Sequence, residues 1–183
     1  MKKGFTLLEL LIVIGILAIL AATTVLVLNP AELLKQARDS QRISDLATLN
    51  SALGMYVTDV SSPALGSDTL CYVNVDTLAA GCGGRHGSKT STYDVDRTVD
   101  GTGWLPVDFT DISGGSPLPT IPVDPTNTTT YYYSYSVSST PVTYELNVAF
   151  ESAKYMTDLD LDGKDGGNST STYEIGTEPG LDI

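Results

Sequence analysis

The chain has 183 residues, with 10 Lys+Arg against 22 Asp+Glu and a formal net charge of −12. A surface this acidic lacks the basic footprint of a general nucleic-acid binder. Two cysteines and a single histidine, His86, leave no ligand set for zinc. The residues beyond the first 30 make one domain with one modest core.

Lys2 and Lys3 precede an apolar run from Phe5 to Leu28, 24 residues in which Glu9 is the only charged one. At about 1.5 Å per residue a helix of that length reaches roughly 36 Å, enough to cross a bilayer with some tilt. The two lysines hold the N-terminus on the cytoplasmic side. Glu9 is the anomaly. A carboxylate near the middle of a spanning helix costs about 2.5–3.5 kcal/mol, and such a residue normally has a partner. Glu9 lies only five residues beyond Gly4, near the interface, and nothing else in the segment neutralises it. A cation from another molecule suits it better than lipid does. Two blander alternatives are a secretory signal and a plain signal anchor for an unrelated exported domain. Ala21-Ala22 mimics a signal cleavage site, yet the run is too long and a glutamate at its head serves no purpose there.

The stretch Met-Lys-Lys-Gly-Phe-Thr-Leu-Leu-Glu-Leu-Leu-Ile-Val-Ile resembles the N-terminus of type IV pilins and type II secretion pseudopilins. The resemblance implies that a prepilin peptidase cuts after Gly4 and methylates the new amine of Phe5. It implies that Glu9 pairs with the N-terminal amine of a neighbouring subunit during assembly. The implied partners are copies of the same chain in a helical filament, the peptidase, and pilus or secretion machinery in the inner membrane. The implied location is a single-pass membrane protein before assembly and an extracellular or periplasmic filament after it. Cleavage would remove Lys2 and Lys3 and leave 8 basic against 22 acidic side chains, a balance of −14. Stacked subunits then repel unless cations screen them or the acidic surfaces avoid each other.

At Asn29-Pro30 the proline pushes its predecessor away from helical geometry. A kink or brief unwinding in one continuous rod is favoured over a full break in which Asn29 caps a second helix and Pro30 is its first residue. From Ala31 to about Thr58, Ile43, Leu46, Leu49 or Asn50, Leu53, Tyr56 and Val57 recur at helical spacing and form an apolar stripe. Arg38, Asp39, Arg42 and Asp45 are placed away from it. Lys35, Arg38 and Arg42 read either as a solvated face or as a contact to acidic neighbours in a filament. The expected rod runs some 54 residues from Phe5, roughly 80 Å. Its first half must bury itself in lipid or against copies of itself, and its second half needs a sheet across the stripe. The expected fold class is α+β and pilin-like, the long helix packed on a small antiparallel β-sheet. The expected divisions are a leader at 1–4, a membrane and filament-core helix at 5–28, its amphipathic half at 29–58 and a globular β domain at 59–183.

Ser61-Ser62-Pro63 ends the helix, and a long Gly/Pro-punctuated connection follows to about residue 125. Short strands are expected around Cys71–Val75 and near Trp104, itself a core or loop anchor. Cys71 and Cys82 flank a Gly-rich loop, and an exported domain meets oxidising conditions, so a disulfide is expected, with free thiols as the alternative. His86 has no visible acidic or nucleophilic partner and reads as a surface residue. Leu118–Pro125 resembles the proline-rich approach to the sheet in pseudopilins and small pilins. Then Thr128–Val137 alternates, with Tyr131, Tyr133, Tyr135 and Val137 on one face. Ser138–Pro141 turns the chain. Val142, Tyr144, Leu146, Val148 and Phe150 share one face of the returning strand, and Thr143, Glu145 and Asn147 the other. The tyrosines read as cross-strand packing, or alternatively as a stacking face for sugars or partners.

Residues 157–167 form an acidic loop. Asp158, Asp160, Asp162 and Gly163 match positions 1, 3, 5 and 6 of an EF-hand, but position 12 is Ser169 and no flanking helices are evident. Asp162 to Gly167 resembles the calcium-binding C-terminal loop of major pseudopilins. That resemblance implicates Asp162 and Asp165 as Ca²⁺ ligands, while Asp158 and Asp160 come from spacing alone; the alternative is a solvated acidic turn. Ser171–Gly176 reads as a last short strand. With one histidine, no nucleophile motif and no acid/base pair, an enzyme is not expected. The expected function is a structural subunit of a type IV pilus or type II secretion pseudopilus. The alternative is a membrane-anchored, calcium-stabilised extracellular binding module that forms no filament.

Overall fold

The computed structural model describes residues 4–76, 80–178 and 180–183. Lys2 and Lys3, and with them the expected orienting charge, lie outside the described residues. Helix α1 runs Leu7–Leu28 and helix α2 Pro30–Asp59, separated by Asn29 in the left-handed region at φ 40°. Pro30 holds the first helical position of α2, and the Asn29 carbonyl accepts from Glu32 and Leu33 N–H at 3.0 and 3.2 Å. The expected kink is therefore a one-residue break. Proline has no N–H to give the preceding turn, and its ring forces Asn29 out of helical geometry.

Five strands follow: β1 Leu70–Val73, β2 Thr90–Tyr93, β3 Tyr133–Ser139, β4 Val142–Val148 and β5 Tyr173–Gly176. Their spatial order is β2-β1-β3-β4-β5. The β3–β4 hairpin turns on Thr140-Pro141, with Ser139 opposite Val142. The sheet is mixed rather than wholly antiparallel, because β2 pairs with β1 in parallel. The short helix α3 (Ala80–Gly84) lies in the connection that makes this possible. No strand forms at Trp104. That tryptophan is buried in the loop and donates Nε1–H to the Pro122 carbonyl at 3.2 Å, anchoring the proline-rich entry to the core.

One face of the sheet lies on α2. Leu46, Leu49, Ala52, Leu53 and Tyr56 of the helix meet Tyr133, Tyr135, Val137, Tyr144, Leu146 and Val148. The tyrosine hydroxyls are satisfied inside. Tyr133 donates to Asp45 at 2.8 Å, Tyr135 to the Leu65 carbonyl at 2.9 Å and Tyr144 to Asn50 Oδ1 at 2.8 Å. Burial at this scale with every hydroxyl paired makes these tyrosines packing residues, not a stacking surface. Burying each ring contributes about 1.5–3 kcal/mol by area alone.

The second face departs from expectation. Ser134, Ser136, Glu145, Asn147 and Glu174 alternate with the apolar set as a solvated face would, yet all are buried. The segment containing α3 and the chain end Leu181–Ile183 cover them. Lys89 Nζ reaches Ser136 Oγ and the Val137 carbonyl at 2.6 and 2.7 Å. His86 is also buried here, at 1% exposure, rather than on the surface. Its Nδ1 lies 2.7 Å from the Ile183 carbonyl and 3.8 Å from Glu145 Oε1. Burial lowers the His86 pKa to about 4 and raises that of Glu145 to about 7, so the two meet as neutral groups near pH 6.

Candidate functional site

Two places stand out: the free N-terminal stalk α1, and the charged joint that fixes α2 to the domain. The stalk begins in extended backbone. A Cβ added to Gly4 would touch nothing within 4 Å, and Phe5 is exposed, so the rest of the described domain does not cover the Gly4–Phe5 bond. Thr6 caps α1. Its hydroxyl accepts the Glu9 N–H at 3.2 Å, and Glu9 Oε2 accepts the Thr6 N–H at 2.9 Å and the Thr6 hydroxyl at 2.7 Å. This reciprocal capping box has a plain signal in Thr6-Leu7-Leu8-Glu9, which the charge argument overlooked. Thr6 thus partners Glu9 within the chain but brings no positive charge, so the described segment holds nothing that neutralises the carboxylate. The carboxylate sits in the first turn of α1, where the helix dipole favours an anion.

Beyond the cap α1 is apolar on every side. Its mean hydropathy reaches 3.0, and none of that window is buried against the rest of the protein. Phe5, Leu7 and Val27 are each 82% exposed. Thr23 and Thr24 spend their hydroxyls on the Ile19, Leu20 and Ala21 carbonyls. Its 22 residues span about 33 Å, close to the thickness of a bilayer's hydrocarbon core.

The joint is made at the start of α2. Arg42 is fully buried and contacts three carboxylates: Asp39 at 2.7 Å, Asp124 at 2.6 Å and Glu151 at 2.6 Å. Asp39, buried too, accepts the backbone N–H of Glu151 and Ser152 and the Ser152 hydroxyl. Arg38 forks onto Glu151 from the rim. Both of the alternatives for Arg38 and Arg42, a solvated face and a contact to a neighbouring subunit, are thereby corrected. They are internal, because their carboxylates arrive from the loop before β3 and the end of β4. Burial pushes the Asp124 carboxyl up, but the bonds from Arg42 and Thr126 outweigh it and hold it below its usual value. The Arg38 bond does the same for Glu151. Further out, Glu32 takes the Ala153 N–H at 2.7 Å, and Lys35 stays half-buried beside Glu32 at 4.0 Å.

Cys71 and Cys82 form a disulfide that ties β1 to α3. The acidic loop is less convergent than its sequence implies. Among the described residues no group of three or more His, Cys, Asp or Glu is gathered to hold a metal ion. Asp158 ends an exposed π-turn at Lys154–Asp158. Asp160 pairs with Lys164 at 3.3 Å, and Asp165 accepts from the Gly167 and Glu174 backbone N–H groups. Asp162 is buried, and its Oδ1 has no partner. Burial, then the charges of Asp160 and Asp165, raise its pKa.

An open Gly-Phe bond, a capped glutamate and an unpartnered apolar helix stand together at the N-terminus. Residues 1–25 match the family model described as the prokaryotic N-terminal methylation motif. The chain carries the type IV pilin and pseudopilin signature. That motif implies processing by a prepilin peptidase and handling by membrane assembly machinery, and with the apolar α1 it fits a membrane-anchored pilin precursor. No curated protein and no solved structure matches the chain significantly.

Proposed function

We propose that the protein is a structural, non-enzymatic subunit, cut between Gly4 and Phe5 and N-methylated at Phe5, that polymerises through α1 into a type IV pilus or type II secretion pseudopilus. The observation that carries this is α1 itself, a helix with no polar face and no packing partner among the described residues. Such a surface must be covered by lipid before assembly and by sister helices after it. Residues 1–4 act as leader, 5–28 as membrane and filament-core helix, 29–58 as its amphipathic continuation and 59–183 as the displayed domain. The Arg42 joint holds α2 and the domain together as one unit, which α1 carries through the break at Asn29. Within the filament the new Phe5 amine of one subunit supplies the cation that Thr6 does not offer to Glu9 of its neighbour.

The proposal extends to calcium at the acidic loop. Support comes from the buried, unpartnered Oδ1 of Asp162. Asp162 and Asp165 are the residues that would hold the ion first; Asp160, now paired with Lys164, and Asp158 would have to move in to complete the site, since the described loop does not gather them. Bound calcium would cancel the mutual repulsion of these carboxylates.

The test is to label cells with an antibody against the domain and compare wild type with Glu9→Ala. Labelled filaments in the wild type, and a variant that inserts in the membrane but yields few or none, are the expected pair. Equal filament yield would remove the pairing role of Glu9. Membrane-confined label with no filament in either strain would favour the anchored binding module instead.

A further inference from the structure

A cavity of about 490 Å³ opens on the face of the sheet turned away from α2. It is walled by the α3 end, the approach to β3, Ala149 after β4 and the approach to β5. Its volume lies within the roughly 300–1,000 Å³ of small-ligand sites. The lining is hydroxyl and amide rather than apolar: Thr129, Thr130, Asn168, Ser171 and Thr172 surround Arg85.

Arg85 is the telling residue. The chain has 22 acidic against 10 basic side chains; among the described ones Lys35, Arg38, Arg42 and Lys164 each find a carboxylate, whereas Arg85, Lys89, Arg97 and Lys154 make no such ion pair, and of these four only Arg85 lines this cavity. Its guanidinium stacks 3.6 Å above the Tyr132 ring. Nη1 donates to the Tyr132 carbonyl at 2.8 Å and Nη2 to the Thr130 carbonyl at 3.4 Å. Tyr132 is fixed in turn by its hydroxyl on the Cys82 carbonyl at 2.8 Å, inside the disulfide segment. Of the five N–H donors of an arginine, the rest find no partner among the described residues. A half-buried cation held rigid by its neighbours, with spare donors in a hydroxyl-lined cavity, is preorganised for an anion. Burial lowers the Arg85 pKa to about 10, which leaves it charged at neutral pH and short of compensation.

We infer that this cavity binds an acidic saccharide unit, a sugar ring carrying one carboxylate or phosphate. Arg85 takes the anion, and Thr129, Asn168 and Ser171 hydrogen-bond the ring hydroxyls. Repulsion from the acidic surface makes neutral or cationic anchoring easier, so the site's selectivity for an anion rests on Arg85 alone. The site lies away from α1 and α2 and does not depend on the filament proposal.

The test titrates the full chain in detergent micelles with glucuronate, glucose 1-phosphate, glucose, acetate and inorganic phosphate, following Arg85 and Ser171 signals by NMR. Saturable binding of glucuronate or glucose 1-phosphate is expected, whichever binds naming the anion, with glucose weaker by about tenfold or more, the worth of a charge-assisted fork. Arg85→Gln abolishes the preference for the charged sugar. Ser171→Tyr, which fills the cavity and spares Arg85, abolishes binding and carries the test if Arg85→Gln does not fold. The inference is overturned by no saturable sugar binding, by acetate or phosphate binding as well as the acidic sugars, by binding that survives Ser171→Tyr, or by cross-links showing a second copy's carboxylate in the cavity.

Discussion

Replacing Arg42 by methionine keeps an unbranched apolar stem and removes the guanidinium and its charge. Asp39 and Asp124 would then lose their ion-pair partner, and only Glu151 would keep one, Arg38, which sits at the rim with a side chain 31% exposed. Asp39 and Asp124 are almost wholly buried, so water offers no relief. Breaking a buried ion pair by deleting one partner costs about 3–5 kcal/mol. For a domain near 150 residues each kcal/mol shifts Tm by about 2–4 °C, so the expected fall is roughly 6–20 °C. Circular dichroism melts of a soluble fragment beginning at Pro30 read this directly. The effect has a pH signature. Asp124 and Glu151 have folded pKa values below their unfolded ones, so their contribution is present above about pH 4 and is lost as pH falls. Wild type should therefore lose stability on acidification, and the gap to Arg42→Met should narrow below pH 4. A fall under 2 °C at pH 7, or a gap that does not change with pH, would refute the internal joint.

Three further outcomes are expected. Cys71→Ser with Cys82→Ser should cost about 2–3 kcal/mol in urea unfolding, the worth of closing a loop this short; a change below 0.5 kcal/mol would leave the disulfide without a stabilising role. Glu145→Gln should stabilise the domain at pH 8 and leave it nearly unchanged at pH 4. Burial raises the Glu145 pKa from its ordinary 4.5 to about 7, so wild-type stability falls as pH rises through that window, by roughly 3 kcal/mol in all. The neutral His86 opposite is common to both proteins and cancels in the difference; a variant less stable at pH 8 would contradict the assignment. Calcium should raise the Tm of the same fragment, and Asp162→Ala should abolish the gain, whereas an unchanged Tm with calcium returns the loop to a solvated turn.

What could be read before folding was whatever depends on near neighbours. The stalk follows from an unbroken apolar run, the break from Asn29-Pro30, and the hairpin from the two-residue alternation on either side of Thr140-Pro141. The disulfide followed from compartment and spacing. The charged joint could not be read in this way. Asp124 and Glu151 lie 82 and 109 positions from Arg42, and helical spacing placed the arginine off the apolar stripe without revealing what would cover it. The polar face of β4 misled for the same reason, since a face of Glu145 and Asn147 reads as solvated until a distant loop and the chain end close over it. His86 was misplaced with them. The parallel pairing of β2 depends on a connection with no periodic signal. Thr6 is the exception, because Thr-x-x-Glu was legible and attention to charge passed over it.

The measurement that bears most directly on the central claim is the intact mass of the protein purified from the membranes of cells that carry a prepilin peptidase. A polypeptide beginning at Phe5 and heavier by one methyl group is the predicted result. A chain that retains Met1–Gly4, or one that starts beyond Ala22 and has lost its stalk, would contradict it.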